Sequence, residues 1–112
     1  TRVELRSPDP SCNPYLAFAV ILTAALEGIK NKTNPPSQRE ENIYHMTNEE
    51  RVQKGILSLP GTLAEALYEL KRNPLIKKAL GEHIYNEFVS SKEKEWDEYR
   101  TQVTCWEIEN YL

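Results

Sequence analysis

Arg2, Glu4 and Arg6 recur at every second position of the opening stretch TRVELRSPD. Extended chain alternates its faces with a period of two, so these three share one side while Val3 and Leu5 share the other. The acid between them can offer oxygen to a hard cation such as Mg²⁺ or Mn²⁺, and the guanidinium groups can hold anionic ligand oxygens. Phosphoryl transfer uses that mixture, with arginine neutralising the charge that develops as the phosphoryl group moves. Spacing alone leaves a plainer reading open, a surface ladder of cross-strand salt bridges.

Two other sets are weaker. His45 and His83 lie far apart with no HExxH or equivalent spacing, and are read as solvent-facing or capping residues. Glu93, Glu95, Asp97 and Glu98 interleave with Lys92, Lys94 and Arg100 on one helix, which describes a solvated face laced with weak ion pairs.

The elements that must position the first set are mostly helices. Residues 1–7 are read as a β-strand, and no later segment offers it a partner. That gap, and a first residue that is Thr, lead to the expectation of a C-terminal piece of something larger, its strand belonging to a sheet outside these residues. SPDPSCNP is a turn-rich connection. Asn13 caps a helix read over 13–32, with Pro14 at its first position. Apolar residues cover nearly the whole circumference of that helix, so burial on several sides is expected. Residues 33–61 read as a loop and a short helix, started by the capping box Thr47 to Glu50 and stopped by Gly55. Residues 62–112 read as a helical tail. Thr62 with Glu65 opens a helix striped by Leu63, Ala66, Leu67 and Leu70. A short helix follows Asn73-Pro74, and a long one, from about Glu82 to Arg100, carries Ile84, Phe88, Trp96 and Tyr99. Thr104 to Glu107 opens the last. Trp106, Ile108, Tyr111 and Leu112 make that end apolar enough to suggest docking against something such as another subunit. The fold class is therefore α+β: mainly helical, with one N-terminal strand.

Composition narrows the classes. With 112 residues, 39% hydrophobic and 28% charged, the chain belongs with globular domains rather than disordered ones. Its net charge of -3 and the absence of a basic stripe argue against nucleic acid. The uncharged run PYLAFAVILTAAL is 13 residues long, short of the roughly 20 that cross a bilayer, so no membrane is expected. Cys12 and Cys105 form no CxxC, which suits reduced thiols and a cytoplasmic location.

The stretch RVELRSPDPSCNPYLAFAVILTAALEGIKNK, followed in order by NIYHMTNEER, LPGTLAEAL, KALGEH, EKEWDEYRTQVT and WEIENYL, resembles the C-terminal part of bacterial type I glutamine synthetases, in their Gram-positive form. The similarity covers essentially all 112 residues and is far more specific than the RxExR spacing. It implies ATP-dependent ligation of ammonia to L-glutamate through γ-glutamyl phosphate. The expected site contains two Mg²⁺ or Mn²⁺ ions and lies between subunits of a dodecamer of two hexameric rings. By the same resemblance Glu4 is a metal ligand, Arg6 binds glutamate and steadies the transferring phosphoryl group, and Arg2 lies near the ATP phosphates. Tyr44 stands where some members carry an adenylylated tyrosine. Its surroundings resemble members controlled by glutamine and by regulatory protein partners, so an ordinary half-buried loop tyrosine is expected. WEIENYL resembles the terminal helix that enters the opposite ring. The remaining ligands would lie elsewhere in the polypeptide, so these residues alone are expected to be inactive. The alternative is a non-catalytic helical protein-interaction module, which should form a stable monomer with its own core.

Overall fold

In the computed structural model, which describes residues 1–111, six α-helices and one 3-10 turn follow one another. Helix α1 spans Pro14–Lys30, α2 Asn48–Gln53, α3 Leu63–Arg72, α4 Pro74–Leu80, α5 Glu82–Tyr99 and α6 Cys105–Tyr111; the 3-10 turn is Ile43–His45. Leu112, expected to help dock the C-terminus, lies outside the described residues.

Local chemistry accounts for most boundaries. The Asn13 side chain accepts from the backbone N–H groups of Tyr15 and Leu16, and Pro14 occupies the position where a missing N–H is harmless. Thr47 and Glu50 form a full capping box, and the Thr47 backbone N–H and hydroxyl hold the Glu50 carboxyl below its usual range. The box expected at Thr62 is shifted: Thr62 accepts from the Glu65 N–H, but Glu65 reaches back to the N–H of Gly61, 2.7 Å away. At α6 the Glu107 carboxylate accepts from both the hydroxyl and the backbone N–H of Thr104, which together lower its pKa. Lys32, at φ 50°, takes the left-handed position that ends α1, a conformation costing a side chain with a Cβ about 1–2 kcal/mol.

Helix α4 is the hub. It packs against α1, α3 and α5, and α3 packs on α5. Leu67 of α3, 5% exposed, and Tyr85 of α5, 9% exposed, are the buried core among the described residues. Lys77 of α4 stands over the Tyr85 ring, 5.5 Å from its centroid, and Lys71 of α3 pairs with Glu93 of α5. The rest of the acidic run behaves as its spacing suggests, Lys92 pairing with Glu95, Lys94 with Glu98 and Arg100 with Asp97 along the exposed face.

Three expectations need correction. Residues 1–7 form no strand, and no described residue belongs to one. A strand exists through its ladder, and nothing among the described residues supplies the second rail. The expected α+β fold is therefore all-helical as it stands. The helix read over 13–32 does form, but none of its residues is buried. Its inner side meets α4, while Tyr15, Phe18, Leu22, Leu26 and Ile29 form an exposed stripe at helical spacing. Finally, Tyr85 rather than its neighbour Ile84 faces inward on α5.

The dimensions express the same shortage of neighbours. A compact domain of this length has a radius of gyration of about 13 Å, and one of this mass exposes about 6,300 Å². Here the values are 17.6 Å and 10161 Å². The helices lie in a spread layer with too little self-contact to close a core.

Candidate active site

The Arg–Glu–Arg row sits on exposed, extended chain ahead of α1. Its members converge as the period of two requires. Arg2 donates through Nε to Glu4 Oε1 at 2.9 Å, with its Nη2 at 2.7 Å, and Arg6 Nη2 donates to Glu4 Oε2 at 3.1 Å. Both carboxylate oxygens thus meet a guanidinium. The pairs lie along one segment rather than across two strands, which distinguishes them from the ladder that spacing alone left open. In water such pairs contribute little to stability. Their chemical value is the arrangement itself: one acid between two fixed cations, aimed the same way.

That arrangement can accept a hard cation at one position only. An ionised carboxylate has about four acceptor sites. Oε1 meets both Nε and Nη2 of Arg2, whereas Oε2 meets only Arg6 and keeps a free lone pair, and the group stays solvent-accessible. The donor type fits Mg²⁺ or Mn²⁺. A closed site does not form, because no group of three His, Cys, Asp or Glu converges among the described residues.

The other candidates stay apart from this row. His45 is exposed on the 3-10 turn, its ring edge-on to Tyr44, and His83 is exposed near the start of α5. Tyr44 was expected to be half-buried; it is 91% exposed, because only a three-residue turn carries it and no helix packs over it. Arg39 donates to the Lys54 carbonyl, and Lys54 pairs with Glu41 at 2.5 Å, lowering the Glu41 pKa and folding the loop onto α2. A groove of about 870 Å³ runs between α1 and the α3–α5 layer, floored by Leu16, Val20, Leu70 and Phe88. Its apolar floor offers no phosphate-binding chemistry. No helix among the described residues is long and apolar enough to cross a membrane.

Residues 1–111 match the family model for the glutamine synthetase catalytic domain. The chain belongs to the glutamine synthetase family. Over all 112 residues it is 60% identical to the glutamine synthetase of Thermotoga maritima and 56% identical to that of Clostridium saccharobutylicum. The glutamine synthetase of Staphylococcus aureus is 55% identical over the same length. The chain covers 26% of the first of these proteins and 25% of the other two. A segment spanning a quarter of its glutamine synthetase relatives is consistent with the open helical layer described above. The family match extends through the helical tail, so its weight rests on the whole chain rather than on the Arg–Glu–Arg row.

Proposed function

We propose that the chain is part of a glutamine synthetase that joins ammonia to L-glutamate at the expense of ATP, its residues 1–7 contributing side chains to the active site. In that reaction a glutamate carboxylate oxygen attacks the γ-phosphorus of ATP and ADP leaves. Ammonia then displaces phosphate from the γ-glutamyl phosphate, with loss of a proton. The family match over residues 1–111 carries the proposal, and the convergence of Arg2, Glu4 and Arg6 supports its placement at these side chains.

Glu4 would hold one of two divalent ions, Mg²⁺ or Mn²⁺. Bound there, the metal supplies charge neutralisation at the ATP phosphates. Arg6 binds the glutamate substrate and offers its donors to the phosphoryl oxygens during transfer. Arg2 orients the ATP phosphates and, with Arg6, fixes the Glu4 carboxylate between two cations. The guanidinium groups are suited to this work because they stay charged and present donors in a rigid fork.

The same reading includes a cytoplasmic dodecamer of two hexameric rings, with α6 and its exposed Trp106, Ile108 and Tyr111 reaching the opposite ring. Control falls to glutamine and a regulatory protein partner, and Tyr44 stays unmodified. A free-standing interaction module suits the structure less well. It would need a core of its own, and Leu67 and Tyr85 are the only buried side chains among the described residues.

Glu4→Ala in the full-length protein tests the assignment. Metal-dependent glutamine formation should be lost while the assembled particle persists on size-exclusion chromatography. Normal turnover in that variant would remove the role given to Glu4.

A further inference from the structure

We infer that Asp9 is a positioning residue, closing a rigid arm that sets the Arg2–Glu4–Arg6 row at a fixed angle to α1. The inference rests on the function proposed above. The arm is the stretch Ser7–Pro14, SPDPSCNP. Pro8, Pro10 and Pro14 have fixed φ, and each restricts the residue before it, namely Ser7, Asp9 and Asn13. Six of these eight residues are thus stiffened by covalent structure alone. Ser11 and Cys12 are the two that remain free.

Asp9 removes their freedom. Its Oδ1 accepts the Ser11 N–H at 2.6 Å, and its carbonyl accepts the Cys12 N–H at 3.0 Å. Asp at the first position and Pro at the second suit a type I turn, and the aspartate side chain locks it. The next residue, Asn13, already caps α1, which is seated on α4. Only Ser7 and Pro8 separate Arg6 from the turn at Asp9, a reach of about 10 Å at most. The closed turn therefore narrows the range over which the row can swing relative to the helical layer. When Asp9 lets go, Ser11 and Cys12 become a hinge, and the carboxylate of Glu4 is presented over a range of directions.

The experiment is Mn²⁺ titration of the full-length enzyme by electron paramagnetic resonance, with thermal melting alongside. Asp9→Ala should weaken Mn²⁺ binding about fivefold, the worth of one hydrogen bond. Asp9→Asn, whose amide oxygen accepts the same N–H, should restore binding to within about twofold. Pro10→Gly, which loosens the turn without touching Asp9, should weaken binding in the same direction. Should Asp9→Ala fail to assemble, Pro10→Gly carries the test. Unchanged Mn²⁺ affinity in Asp9→Ala or Pro10→Gly, with only a lower melting temperature, would overturn the inference. Glu4→Ala separates the two layers of reasoning. Lost Mn²⁺ binding there beside unaltered binding in Asp9→Ala rejects the arm alone, whereas unaltered binding in Glu4→Ala rejects the metal role of Glu4 and the arm with it.

Discussion

Phe18→Ala in the full-length protein asks whether the outer stripe of α1 is covered there. As the chain stands, Phe18 keeps 70% of its surface in water. Complete burial of a phenylalanine side chain is worth up to about 3 kcal/mol, so truncation here removes about 1 kcal/mol of transfer free energy. Alanine returns roughly 0.5 kcal/mol through its higher helix propensity. The net change should then be close to zero if the stripe stays exposed. If the rest of the polypeptide packs over it, Phe18→Ala opens a cavity and costs about 3–5 kcal/mol. The two cases differ by about 3 kcal/mol, or more than a hundredfold in the folding equilibrium. Denaturant melts of the full-length wild-type and variant proteins, at equal concentration and with matched slopes, read that difference from the midpoints. We expect the larger loss. A variant within about 1 kcal/mol of wild type would refute the reasoning that α1 needs neighbours on more than one side.

The 112 residues alone should show no ATP- or glutamate-dependent turnover, as judged by phosphate release and glutamine formation, because a single metal ligand and two arginines do not make a two-metal site. They should also bind a hydrophobic dye such as ANS strongly, given the exposed stripe and the apolar C-terminal helix. Lys32→Gly should raise the stability of the chain by up to about 1 kcal/mol, since glycine adopts φ 50° without the Cβ clash; a chemical melt measures it. Glu107 has a folded pKa below its unfolded value of 4.5, so its capping contribution is complete above that value and disappears as the pH falls through the depressed folded one. Helicity followed by circular dichroism should show that acid limb, and Glu107→Gln should flatten part of it.

Helices were the most legible feature because their signals are local. Asn13-Pro14, Thr47 to Glu50 and Asn73-Pro74 each announce a start within four residues, and the helices begin there. The same-side placement of Arg2, Glu4 and Arg6 was legible for a similar reason: alternation needs only extended backbone. The strand read over residues 1–7 does not form, since alternation gives a face but no ladder, and nothing among the described residues pairs with it. Tyr85 escaped notice because Ile84 is the more apolar neighbour. Burial went to the tyrosine, whose ring sits beneath the Lys77 ammonium. Tyr44 misled in the other direction, its aromatic character suggesting cover that a three-residue turn does not provide. Asp9-Pro10 carried the signature of a type I turn, but its consequence for the Arg–Glu–Arg row required the hydrogen bonds to be seen.

Across these observations the chain is a layer of helices with the Arg–Glu–Arg row at one end and exposed apolar surface elsewhere. The chemistry of that row is where the proposed function is most exposed to test. A structure of the full-length protein with Mn²⁺ and a non-hydrolysable ATP analogue, its metals located by anomalous scattering, addresses it most directly. We expect a manganese peak within bonding distance of a Glu4 carboxylate oxygen, with Arg6 turned toward the terminal phosphate. Glu4 still clasped by both arginines, with every manganese peak bound elsewhere, would contradict the assignment.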